Sequence, residues 1–259
     1  MTTPTTTIAL LYPGHAAEDD FEIIGTALRQ VDDTIRLRVV ITDIDSDAHT
    51  VAAMRSVGES DRLLAGARAA AEFDPAAVMW ACTSGSFLYG WSGAATQVAE
   101  LTSATGLPAS STSLAFAHAC AALGIDAVAV AATYPEPVAA GFTEFLRAAG
   151  ISVTRFAAHD IATASAAGDA SSDELIAMVR GVAGPPAQAV LVPDTALHTA
   201  AGLTDLEHDC GTTVLTANQV TAWEGLRLCG VEVTVPSLGS LFDGDRRMRV
   251  PHAARAKSD

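Results

Sequence analysis

Two short stretches carry the residue types that can do chemistry. Residues 77–83 read AVMWACT, an apolar run that ends in Cys82 and is followed by Thr83, Ser84, Gly85 and Ser86. Residues 189–195 read AVLVPDT, the same approach ending in Asp194 and Thr195, with Asp194 112 residues beyond Cys82. A cysteine facing backbone N–H groups at a strand end has its pKa lowered and serves as a nucleophile or acid/base. A carboxylate buried beside other negative charge keeps a proton and can deliver it. Hydroxyls placed next to the pair would donate to negative charge that develops in a reaction. Each residue also has a plainer reading, and both stand at this level. Cys82 can be a buried structural cysteine, Asp194 the cap of a following helix, and Thr83, Ser84 and Thr195 ordinary turn residues. Cys120 and Cys229 read as packing residues, and Cys210, next to a turn glycine, reads as inert.

These stretches need elements to hold them. Residues 7–12 (TIALLY) form a β-type run stopped by Pro13-Gly14. Residues 21–31 carry helical apolar spacing behind acidic residues that suit a first turn. A second strand spans 37–41. A helix over 60–73 follows, with Ser60 as its expected N-cap. The strand over 77–81 delivers Cys82 to its carboxyl end. Further on, helices are expected over 93–105, 113–123 (closed by Gly124), 138–149, 173–182 and 218–228. Strands are expected over 107–111, 127–132, 151–156, 189–192 and 213–215. Asn218 is read as a cap of the last helix.

Alternation of strands and helices implies parallel sheets covered on both faces. An internal repeat sharpens this. TIALLYP matches AVAVAATYP, with Tyr12-Pro13 against Tyr134-Pro135, and AVMWACT matches AVLVPDT. The segment 106–124 matches 211–230 in layout: Gly, short strand, polar turn, helix, Gly. The expected fold is α/β, with two pseudo-symmetric Rossmann-like (flavodoxin-like) parallel-sheet halves and the active site in the cleft between them. Residues 1–113 plus 221–259 make the first half, with the C-terminal helix packing back, and 114–220 make the second. Ligands of open α/β sheets bind at the carboxyl ends of strands, so Cys82 and Asp194 should face each other across the cleft.

Composition narrows the partners. The chain has 259 residues, 49% hydrophobic, and a formal charge of −15. That balance removes the electrostatic attraction on which non-specific nucleic-acid binding depends, while a local nest of N–H groups and hydroxyls can still hold a carboxylate. No apolar run approaches the ~20 residues of a membrane span, and MTTPTTT lacks the basic and apolar regions of a signal peptide, so a cytoplasmic protein is expected. Four scattered cysteines make no disulfide framework. The seven histidines show no metal-ligand spacing, and no nucleotide-binding glycine loop follows a strand. An anionic substrate therefore stays open; a homodimer is the default assembly.

Beyond these local readings, CTSGSF (Cys82 to Phe87), the strand end at Tyr134, ALHT after Asp194, NQVTAWEGLRLCG and the later GSLF together resemble the Asp/Glu racemase superfamily. Within it they are most similar to the maleate cis-trans isomerase and arylmalonate decarboxylase branch. The resemblance implies a cofactor-independent enzyme with one or two cysteines at pseudo-symmetric positions, and Cys82 matches the first. Asp194 stands where the second cysteine is expected. The resemblance also implies that Thr83, Ser84, Tyr134 and Thr195 bind a substrate carboxylate, although Tyr134 also reads as a core residue. His15, in the turn after the first strand, stands where maleate isomerases tend to carry a carboxylate-binding Asn. The first implied activity is isomerisation of a small dicarboxylic acid by Cys82, with Asp194 in proton handling. The alternatives are decarboxylation of a substituted malonate, racemisation at an acidic α-carbon, or a non-catalytic acid-binding protein.

Overall fold

The computed structural model describes residues 5–244; the ends of the expected first half, 1–4 and 245–259, lie outside the described residues. The first series runs β1 (Thr6–Pro13), α1 (Asp20–Arg29), β2 (Ile35–Thr42), α2 (Val51–Ser56), α3 (Ser60–Ala70), β3 (Ala77–Trp80), α4 (Ser84–Phe87), α5 (Gly90–Thr105), β4 (Ala109–Ser111) and α6 (Thr112–Leu123). The second runs β5 (Ala127–Ala132), α7 (Glu136–Ala148), β6 (Ser152–Ala158), α8 (Ala164–Gly168), α9 (Ser172–Val182), β7 (Ala189–Val192), α10 (Leu203–Cys210), β8 (Thr213–Thr216) and α11 (Ala217–Leu228).

Each series makes one four-stranded parallel sheet, ordered β2-β1-β3-β4 and β6-β5-β7-β8. The order is the same in both, so the fold is α/β with two pseudo-symmetric flavodoxin-like halves. The inner strands β3 and β7 are buried at every residue, because helices cover both faces and the sequence must be apolar on both. The edge strand β2 instead carries arginines between its apolar residues.

The halves are joined by their last helices. Phe116 of α6, the last helix of the first series, packs edge-on against Phe142 of α7 in the second series, with ring centroids 5.3 Å apart. In the other direction, α11 lies on the first sheet at Gly225, where a Cβ would fall 2.6 Å from Ile8 Cγ2. Only glycine permits that approach. Between the two helices Thr112 and Thr221 share a hydroxyl hydrogen bond of 2.6 Å, and Glu224, fully buried, accepts from Arg227 and pairs with His118.

Local signals fare unevenly. Gly124 does end α6 in the left-handed conformation, as Gly caps require. Ser60 is not a cap: Glu59 holds that position, and Ser60 Oγ bonds Glu100 Oε2 at 2.5 Å. Asn218 is not one either, since Thr216 and Gln219 form a capping box there. Helices α2, α4 and α8 are too short to show a period, and polar α10 (LTDLEHDC) shows none that composition could reveal. Among the described residues no helix is long and apolar enough to cross a membrane.

Candidate active site

In a 2-1-3-4 parallel sheet the helices change faces between strands 1 and 3, opening a crevice at their carboxyl ends. Tyr12 lies near the end of β1, and Cys82 stands two residues beyond β3; Tyr134 and Asp194 stand two residues beyond β5 and β7. All four line one cavity, together with Ser84 and Thr195. Thus Cys82 and Asp194 meet, as the repeat predicts. Thr83, expected at the substrate, is instead fully buried and is not among the residues that line the cavity.

The thiol accepts a hydrogen bond from the Gly85 N–H at 3.3 Å and lies 3.8 Å from Ser84 Oγ. Gly85 is required: a Cβ there would sit 2.9 Å from Trp80 Cζ2 and 3.1 Å from the sulfur. Those donors favour a thiolate, yet Cys82 is only 4% exposed. Burial outweighs them and, with Asp194 nearby, pushes the thiol up to about 11. The lowered thiol pKa expected at this strand end is therefore corrected: burial keeps the proton on the sulfur at neutral pH.

Asp194 is equally buried. Its Oδ1 accepts from the Ala196 N–H at 3.0 Å and its Oδ2 from the Thr133 hydroxyl. The first bond closes a turn and caps no helix, since the next helical turn begins at Ala200. Burial raises its pKa, opposed in part by His49, Thr133 and the Ala196 N–H. The Tyr134 hydroxyl donates to the Pro193 carbonyl, and the Tyr12 hydroxyl donates to the Thr195 carbonyl at 2.9 Å. The two tyrosines thus grip the backbone on either side of Asp194. Burial also holds the Tyr134 hydroxyl well above its ordinary range, so it is a donor and not a base.

Sequence reasoning places His15 at the ligand, and the structure places it outside this cavity. Its side chain is 72% exposed and bonds Glu18 Oε1 at 2.5 Å, drawn toward that carboxylate. The histidine that does line the cavity is His49, in the loop after β2. That loop has no periodicity, but it follows a strand's carboxyl end, which is the signal that could have found it. Another missed residue is Asp20, fully buried, which accepts from Thr199 N–H and Oγ1, Ala200 N–H and Asn218 Nδ2. It ties α1 of one half to the Asp194 side of the other. Among the described residues no cluster of three His, Cys, Asp or Glu is arranged to hold a metal ion.

Comparison with known proteins follows the same lines. The family model described as arylmalonate decarboxylase matches residues 48–242. The maleate isomerase Iso of Pseudomonas putida S16 superposes with a TM-score of 0.83 at 18% identity, covering 93% of this chain and 99% of that one. A cysteine-to-serine mutant of the Nocardia farcinica maleate cis-trans isomerase, with a covalently bound succinylcysteine intermediate, gives 0.80 at 20%, covering 92% and 98%. A liganded double mutant of arylmalonate decarboxylase, in which one glycine has become cysteine and one cysteine serine, gives 0.79 at 24%, covering 92% and 99%. No curated protein matches the chain by sequence.

Proposed function

The chain belongs to the arylmalonate decarboxylase family, and on that premise we propose that it is a cofactor-independent, cysteine-dependent isomerase of a small cis-unsaturated dicarboxylic acid. One observation carries the proposal: the Cys82 thiol and the Asp194 carboxyl line one cavity from equivalent strand ends of two facing sheets. The succinylcysteine of the Nocardia enzyme is the adduct such a thiol forms with maleate.

In this reading the substrate carboxylate takes its hydrogen bonds from the hydroxyls that line the cavity, Ser84 Oγ and Thr195 Oγ1. Cys82 gives its proton to Asp194 as the sulfur bonds to one alkene carbon and the π electrons move into the adjacent carboxylate. The resulting enediolate is held by donors that cost no reorganisation. Rotation about the former double bond, then cleavage of the C–S bond, gives the trans acid, and the proton returns to sulfur. Bonds, charge and protons balance without an oxidant.

Incubation with maleate followed by proton NMR tests this. Fumarate should form with the wild type, and Cys82→Ala should lose activity by roughly 10³-fold or more, the scale of losing a nucleophile. Turnover unaffected by Cys82→Ala, or no fumarate at all, would sink the proposal; acid binding without turnover would leave a small-acid binding protein.

A second reading, decarboxylation of a substituted malonate, is favoured by two features. Burial keeps the sulfur protonated, and Ile44, Met54 and Val57 give the cavity an apolar wall. Loss of CO2 would leave an enediolate that Cys82 protonates from its own side. The same arrangement, with Asp194 as base, would exchange an acidic α-proton. Product chirality in deuterated water distinguishes these outcomes.

A further inference from the structure

His49 has no part in the chemistry above, and it is held more firmly than a loop residue needs to be. It is 4% exposed. Its backbone N–H donates to the Ala162 carbonyl at 2.7 Å, and its Nδ1–H donates to the Ile161 carbonyl at 2.8 Å. Both acceptors belong to the other half. Next to it Ala48 forms a β-bridge with Thr163, and the Asp47 carbonyl and carboxylate accept from the Ala164 and Ser165 N–H groups. The imidazole stands edge-on to the Tyr134 ring, with centroids 5.2 Å apart. With Nδ1 committed as a donor, Nε2 is the ring nitrogen left for other chemistry.

The charges around it are unusual for an acid-binding cavity. The titratable side chains that line it are Tyr12 from β1, Asp47 and His49 from the loop after β2, Cys82 after β3, Tyr134 after β5 and Asp194 after β7. Neither lysine nor arginine is among the described residues that line it. Two carboxyl groups face any incoming anion, and the only described side chain there that can become cationic at ordinary pH is the imidazole. Hydroxyls and N–H groups can hold an anion moved out of water into such a site, but with two carboxyl groups nearby an opposite charge lowers the cost most.

Resting on the reading of this cavity as a small-acid site, we propose that His49 is its anion-binding group: the imidazole takes up a proton as the acid binds, and its Nε2–H pairs with the acid's carboxylate. Binding is then coupled to proton uptake at a pH where a free imidazole is mostly neutral. The lock between the two loops is what holds the ring over the cavity, so acid recognition depends on both halves being docked.

Succinate is a suitable probe, since it has neither a double bond to isomerise nor a malonyl carboxyl to lose. Isothermal titration at pH 7.5 in two buffers of different ionisation enthalpy counts the protons. The wild type and Asp194→Asn should each take up about one proton per succinate. His49→Gln should take up none and bind on the order of ten- to a hundredfold more weakly, the loss of a charge-assisted hydrogen bond. Succinate bound by the wild type without proton uptake, uptake that persists in His49→Gln, or uptake that disappears in Asp194→Asn overturns the assignment. If the wild type binds neither succinate nor maleate, the small-acid reading itself fails. Should His49→Gln not fold, the wild type alone decides: succinate must move the midpoint of one histidine Cε1–H resonance to higher pH, and unmoved midpoints overturn the proposal.

Discussion

The two sides of the cavity are built in different ways. The turn after Cys82 is held by its own half: Gly85 N–H to sulfur, Gln97 to the Gly85 carbonyl, Ser113 to the Thr83 carbonyl. The turn around Asp194 is held from both halves, by Tyr134 and Asn218 from its own and by Tyr12 from the other, and Asp20 anchors Asn218 from across the interface. A thiol needs only a close donor and a dry pocket, both of which a few neighbouring residues supply. A buried carboxyl needs its backbone fixed and its lone pairs satisfied, and that takes partners from distant parts of the chain. The cysteine side is therefore the sturdier of the two, and the aspartate side the one that registers how the halves dock.

Replacing Asp194 by Asn is the strongest way to test this contrast. Asn retains the shape and can still accept from Ala196 N–H, but it carries no proton to exchange; steady-state turnover of maleate should fall by about 10²–10⁴-fold, the range of an acid/base group, with the melting temperature unchanged or raised. Equal turnover would make Asp194 a structural turn residue.

Asp20→Ala should come next. It leaves the buried Thr199 and Ala200 N–H groups without their acceptor and takes one of three acceptors from the Asn218 amide, so denaturant unfolding should show a loss of about 3 kcal/mol. In a partly destabilised protein, activity should fall while the alkylation rate of Cys82 changes little, because the cysteine turn does not depend on this anchor.

A pH comparison isolates the thiol. Its pKa in the folded protein is about 11, against an ordinary 9.0. A raised folded value means the contribution is fully present below pH 9 and is lost as pH rises through about 11. Between those limits the wild type should lose about 2–3 kcal/mol more than Cys82→Ala, at 1.36 kcal/mol per pKa unit. Parallel stability curves from pH 8 to 11 would show that burial does not control this sulfur.

Tyr12→Phe is the mildest. The lost hydroxyl leaves the Ala17 N–H unpaired, while the Thr195 carbonyl keeps Asn218, so the cost should be about 1–2 kcal/mol. Turnover should drop more than Cys82 reactivity does; the reverse result would contradict the division between the two sides.

The chain's own pattern determined a good deal. Apolar strands flanked by amphipathic helices, the paired Tyr-Pro landmarks, and AVMWACT against AVLVPDT are repeated local features, and repetition survives reading in one dimension. They set the α/β class, the two halves and the meeting of Cys82 with Asp194. What tertiary structure decided depends on contacts between residues far apart in the chain. Asn218 reads locally as a cap, and only the fold shows it donating to Asp20, Thr195 and Leu197. His15 and His49 are alike as letters in polar loops; the first is drawn out to Glu18 and the second is locked inward by Ile161 and Ala162. The protonation of Cys82 is of the same kind, because desolvation is a property of everything packed around the sulfur, and no neighbour in sequence records it.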